Sequence, residues 1–104
     1  MQTIKKEIAR FCQEHQLDID PAHRLIDLVS ELSEVSKEIL ASTNYGKLPM
    51  KKTGEGLKDE IGDVLFSLIC LCNTLDVDMD SSLKHALEKY SARLVKNGNP
   101  GSRA

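Results

Sequence analysis

The acidic residues of this chain fall into two stretches whose spacing could do chemistry. In the first, Asp27, Glu31, Glu34 and Glu38 follow one another at intervals of four, three and four residues, which at about 100° per residue places them within an arc of about 60° on one helix. Like charges at such intervals each destabilise a helix by a few tenths of a kcal/mol, and along this helix only Lys37 stands near enough to offset them. Taken alone, the stripe reads as a solvated acidic face. The second stretch changes the weighing. Glu60, Asp63, Ser67 and Thr74 make a narrow polar stripe in a segment whose centre, residues 64–72, is apolar apart from Ser67. A carboxylate shielded from water is protonated, paired with a cation or bound to metal, because leaving it unpaired costs several kcal/mol. Lys58 is the one basic residue in that segment. Two helices that each carry carboxylates at i,i+3 can bring four oxygen donors together across a bundle, a set suited to Mg²⁺ or Mn²⁺. Zinc would call for His or Cys, and His15, His23 and His85 are dispersed and read as surface residues.

The elements that must position these acids follow from the apolar periodicity. Ile4, Ile8, Phe11 and Cys12 predict a first amphipathic helix over about residues 3–15. Asp20 followed by Pro21 reads as an N-cap with proline at the first helical position. The second helix then runs to about Ala41, with Leu25, Leu28, Val29, Leu32, Val35, Ile39 and Leu40 as its face toward a bundle core. Residues 42–56 hold three glycines, a proline and three lysines without helical period and read as a loop. A third helix over about residues 57–75 is apolar nearly all round, so protein should surround it on most sides. Asp78 or Asp80 would cap a fourth helix over about residues 81–96, with Leu83, Ala86, Leu87, Tyr90 and Leu94 on its core face. The expected fold is all-α: a single domain over residues 1–96 of the four-helix-bundle type, with 97–104 as a loose tail. Three companion helices hardly cover an all-round apolar third helix in so short a chain, so a homodimer or higher homo-oligomer such as a homotetramer is expected.

Composition bounds the function from outside. The 104 residues allow one modest core. Fourteen basic residues against sixteen acidic ones give a net charge of −2, which leaves no basic excess to grip nucleic acid. No run approaches the eighteen or so apolar residues of a membrane span, and MQTIKKEIAR lacks the apolar core of a signal peptide. The expected location is the cytoplasm. Cys12, Cys70 and Cys72 match neither a disulfide framework nor a zinc knuckle, and read as buried, reduced thiols.

With both acidic stretches in view, the sequence resembles a known family. The run Leu28-Val29-Ser30-Glu31-Leu32-Ser33-Glu34-Val35, followed by Glu60-Ile61-Gly62-Asp63-Val64-Leu65, is similar to the ExxE…ExxD signature of the MazG-like all-α nucleoside triphosphate pyrophosphohydrolases. The similarity covers about residues 25–94, and Val77-Asp78-Met79 resembles the segment after the third helix in that family. It implies an enzyme that hydrolyses a nucleoside triphosphate to the monophosphate and pyrophosphate, in a nucleotide-sanitising role. It also implies Mg²⁺, with Mn²⁺ as a plausible substitute, held by Glu31, Glu34, Glu60 and Asp63. Ser30 stands where many members have a further acid, which leaves the number of ions open. The fourth helix of the family supplies a basic or amide group to the phosphates, and Lys89 and Arg93, one turn apart, are the candidates here. Solvated cations near a helix C-terminus are an equally good reading of those two. Lys47, Lys51 and Lys52 in the loop could also meet a triphosphate.

A substrate with about four negative charges would be repelled by such a pocket without divalent metal between them. Metal-assisted attack of water on phosphorus then needs a proton acceptor, and Glu34 or Glu38 is positioned in sequence for that catalytic role. Two rivals remain: a phosphoribosyl-ATP pyrophosphohydrolase-like enzyme, and a non-catalytic helical interaction module whose acids pair with a basic protein.

Overall fold

The computed structural model describes residues 1–50 and 54–101, and folds them into four helices: α1 (Gln2–Glu14), α2 (Pro21–Ser42), α3 (Glu55–Leu75) and α4 (Met79–Asn97). No strand occurs among the described residues, so the fold is all-α. Lys51 and Lys52, and the last three residues of the expected tail, lie outside them; Asn97, placed in the tail from sequence, is the last residue of α4. No helix among the described residues is long and apolar enough to cross a membrane.

The helix ends follow the cap chemistry. Asp20 accepts the backbone N–H of His23 at 3.0 Å, with Pro21 opening α2. Of the two candidates for α4 it is Asp78 that caps, accepting from the Ser81 N–H at 3.0 Å, while Asp80 falls in the first turn. α3 starts earlier than periodicity indicates, from an N-cap at Gly54, so Glu55 and Gly56 are helical rather than loop. Gly98, at φ 76°, closes α4 and returns its N–H to the Leu94 carbonyl at 3.0 Å.

The principal contact is between α2 and α3, and α1 packs against the C-terminal half of α3. Phe11 meets Phe66 edge-on, ring centroids 6.0 Å apart. Lys5 Nζ donates to the Val77 carbonyl at 2.6 Å and Asn73 Nδ2 to the Lys5 carbonyl at 3.1 Å, which ties α1 to the C-terminal end of α3. The buried set is small: Cys12, Leu57, Ile69 and Cys70, together with Arg24, Thr43 and Ser67.

One face is turned differently from the periodicity reading. α2 presents to α3 its acids together with Leu28 and Val35, all half-buried, while Leu25, Val29, Leu32, Ile39 and Leu40 lie exposed on its outer side. Arg24, Asp27 and Ser67 account for this orientation, since their polar contacts fasten the acidic side of α2 to α3. Ile61, Leu65, Leu68 and Leu75 of α3 are likewise exposed, so within one chain α3 is covered on only part of its circumference. α4 extends from α3 with its apolar residues Leu83, Leu87 and Leu94 open. The accessible surface of 7976 Å² exceeds the roughly 5,800 Å² expected of a compact monomer of this mass. The radius of gyration, 16.9 Å, likewise exceeds the roughly 13 Å of a compact chain of this length.

Candidate active site

The seam between α2 and α3 brings three carboxylates together. Glu31 from α2, and Glu60 and Asp63 from the first half of α3, each offer an oxygen within 4.8 Å of the others. Glu60 and Asp63, one turn apart, share a face of α3, and the inward rotation of α2 puts Glu31 opposite them. Among the described residues no Lys, Arg or His lies in ion-pair range of any of the three. The electrostatic result is legible in the two glutamates. Glu31 is raised above the ordinary glutamate range, first by desolvation and then by the charges of Asp63, Asp27 and Glu34. Glu60 is raised in the same way, by desolvation and then by Asp63, Glu34, Glu31 and Glu38. A pocket of carboxylates that oppose one another's ionisation is one that a cation would relieve.

The donor set fits a hard divalent ion. For bonds of about 2.1 Å in octahedral geometry, neighbouring ligands of Mg²⁺ lie about 3.0 Å apart and opposite ones about 4.2 Å, so three oxygens within 4.8 Å of one another come within reach of one ion by side-chain rotation. All donors are carboxylate oxygens, the ligand type of Mg²⁺ and Mn²⁺ rather than zinc.

The other acids surround this group. Glu34 lies on the same face of α2 and pairs with Lys37 at 3.3 Å, the offset anticipated from sequence, and its charge reaches both Glu31 and Glu60. Glu38 lies over the first turn of α3 at Gly56, where an added Cβ would fall 2.9 Å from its Oε2. Glycine there lets the carboxylate approach the N-terminal end of α3, where the helix dipole favours negative charge. Asp27, one turn before Glu31, is held from both sides: Ser67 Oγ donates to its Oδ2 at 3.0 Å, and Arg24 Nη1 stands 3.7 Å away.

Lys89 and Arg93 are not brought to the acids within one chain. Lys89 Nζ sits 5.3 Å from the centroid of the Tyr90 ring, and Arg93 donates to the Pro100 carbonyl at 3.2 Å. Lys47 is exposed on the α2–α3 connection. The histidines are dispersed as expected, His15 against Phe11, His23 on Asp20 and His85 exposed. Arg24 and Gly56 were not marked as site residues by spacing. Arg24 stands three residues before Asp27, the i,i+3 relation that could have found it; Gly56 gave no signal, because its use depends on α3 starting two residues earlier than the apolar pattern does.

The stretch that carries both acid pairs, α2 through α4, is also the stretch that matches a known family: the MazG nucleotide pyrophosphohydrolase domain is recognised over residues 21–96. The chain belongs to that family. The matched MazG region opens at Pro21, directly after the α2 cap, and leaves α1 outside it. The chain is 31% identical over 96 residues to YpjD of Bacillus subtilis (strain 168), a protein described as uncharacterised, across 89% of this chain and 85% of that one. A crystal structure of YpjD from Bacillus subtilis, described as a candidate pyrophosphatase, superposes with a TM-score of 0.72 at 29% identity, covering 86% of this chain and 92% of that one. The architecture and the pyrophosphohydrolase class of this MazG chain rest on these likenesses together.

Proposed function

We propose that this MazG domain hydrolyses a nucleoside triphosphate to the nucleoside monophosphate and pyrophosphate, with Mg²⁺ as its cofactor and Mn²⁺ as a substitute. The observation that carries this reading is the convergence of Glu31, Glu60 and Asp63 within 4.8 Å, with no cation beside them among the described residues. Those three, with Glu34 on the same face, would hold the metal. When bound, it neutralises charge on the phosphates and lowers the pKa of water, the chemistry that phosphoanhydride cleavage requires. The chain's own residues do the rest. The seam between α2 and α3 orients the donors, Arg24 and Ser67 hold Asp27 beside Glu31, and one carboxylate, Glu34 or Glu38, would accept the proton of the attacking water.

The same reading includes a homo-oligomer, as homodimer or homotetramer. It is supported by the open apolar sides of α2, α3 and α4 and by a surface roughly 2,000 Å² above that of a compact monomer, within the range that obligate interfaces bury. A phosphate role for Lys89 and Arg93 then calls for α4 of a second copy to cross the α2–α3 seam.

The test is to incubate purified protein and Mg²⁺ with canonical and modified nucleoside triphosphates and with phosphoribosyl-ATP, resolving monophosphate, pyrophosphate and orthophosphate. Monophosphate with pyrophosphate, lost on adding EDTA, is the expected result. Turnover of phosphoribosyl-ATP alone would reassign the substrate. Absence of turnover throughout, in a folded protein whose melting is indifferent to Mg²⁺ and Mn²⁺, would replace the enzyme with an interaction module.

A further inference from the structure

Cys12 of α1 and Cys70 of α3 take no part in the acidic seam, yet they are among the least exposed side chains of the protein, at 4% and 3%. Their sulfur atoms stand 3.5 Å apart across the α1–α3 contact, although the residues are separated by 58 positions in sequence. Cysteine often packs as a small apolar residue with no further role. What surrounds this pair is not apolar. The buried guanidinium of Arg24 directs Nη2 at Cys12 Sγ from 3.8 Å, and it is fixed there by donating to the Leu17 carbonyl and by Asp27 at 3.7 Å. The sulfur that Arg24 meets is that of Cys12, and a fixed positive charge beside a sulfur favours its attacking form, so Cys12 is assigned the first attack. Burial, reinforced by Cys12, pushes the Cys70 thiol up to about 12 although the charge of Arg24 acts the other way, so Cys70 keeps its proton until its sulfur attacks. Both cysteines and Arg24 line a cavity of about 290 Å³, with Asp18, Asn73 and Thr74 on its walls, and a small hydroperoxide fits within that volume.

We propose that Cys12 and Cys70 form a reversible dithiol–disulfide site whose oxidant is a small hydroperoxide. The sulfur of Cys12 attacks the terminal oxygen of the peroxide and the O–O bond breaks. The thiol proton leaves with the departing alcohol or water, and Cys12 becomes a sulfenic acid. The sulfur of Cys70 then attacks that of Cys12; the S–S bond forms, the S–O bond breaks, and the hydroxyl leaves as water with the Cys70 proton. Two electrons pass from the thiols to the peroxide, and a dithiol reductant reverses the change. Reaching a bonded separation of about 2.05 Å needs the sulfurs to close by about 1.5 Å, a movement that side-chain rotation and a small shift of α1 can share. Cys72, half-buried two residues beyond Cys70, points to another side of α3 and stays reduced.

The experiment treats the full chain, natively folded, with hydrogen peroxide, then denatures it, alkylates free thiols and maps the peptides by mass. The expected result is a fall from the three thiols of the sequence to one, at Cys72, with a single linked pair of peptides containing Cys12 and Cys70 that dithiothreitol separates. Cys72→Ser retains the link, and Cys12→Ser and Cys70→Ser each abolish it. Should either of the last two variants fail to fold, the wild-type peptide map decides alone. Three surviving thiols, stepwise oxidation of one cysteine to the sulfinic acid, or a link that uses Cys72 or joins two chains would each overturn the proposal.

Discussion

If α4 forms the interface of the proposed homo-oligomer, replacing Leu83 and Leu87 by alanine should dissolve it without removing any carboxylate of the seam. The two leucines share one face of α4, and in the isolated chain they are 60% and 58% exposed. A leucine taken fully out of water contributes about 2 kcal/mol, so the parts still exposed are worth about 1.2 kcal/mol each on association. In a symmetric dimer each substitution is counted twice, and the double variant loses about 5 kcal/mol of association free energy. That corresponds to between three and four powers of ten in Kd. Sedimentation velocity over a micromolar dilution series is the assay: wild type sediments as a multiple of 11.6 kDa, and the variant reverts toward one chain. A wild-type protein that sediments as a single chain and still melts cooperatively would refute the reasoning, because the open apolar faces would then be stable in water.

Three further outcomes follow from the site and its supports. Glu60→Gln or Asp63→Asn should abolish turnover while circular dichroism still reports a helical protein, and full activity in either variant would remove those residues from the site. Glu31 and Glu60 are raised above the ordinary value of 4.5, so the folded protein holds protons that the unfolded chain releases. Their desolvation and mutual repulsion therefore weaken stability at neutral pH, and stability is regained as pH falls through the raised values and levels off below about 4.5. In EDTA, Glu60→Gln should melt above wild type at pH 7 and lose that advantage toward pH 5; a gap that widens on acidification would contradict the sign. Asp20→Ala removes the α2 cap and should cost about 1 kcal/mol, or about 5 °C in melting temperature for a domain this size. Because Asp20 is held below its ordinary value by the His23 N–H and then by the His23 ring, its contribution is full above about pH 4 and is lost on further acidification.

The starts of α2 and α4 and the fold class were readable because they depend on local chemistry. Asp20-Pro21 and Asp78 act through their nearest neighbours, and the structure places α2 and α4 behind them. The pair Glu60 and Asp63 was readable because a polar stripe on an apolar helix is anomalous wherever the helix goes. The rotation of α2 was not readable. Its apolar stripe and its acidic stripe compete for the contact with α3, and the outcome turns on Arg24 and Ser67 meeting at Asp27, one from the same helix and one from 40 residues away. Periodicity weighs apolar area and assigns the leucine face inward, but it cannot weigh a polar contact whose partner lies on another helix. The meeting of Cys12 with Cys70 was hidden for the same reason.

The seam that carries the acids is also the main contact holding the chain together, since α2 and α3 share far more of their surfaces than any other pair. Like charges thus press apart the two helices on which the rest of the fold is hung. Local opening in the cation-free protein should therefore begin there rather than at the chain ends, and amide hydrogens around Glu31 and Glu60 should exchange sooner than the helical content implies. A divalent ion would reverse that order by mass action, making the centre of the molecule its most protected part. In such a design the readiness of the site and the integrity of the scaffold are a single equilibrium.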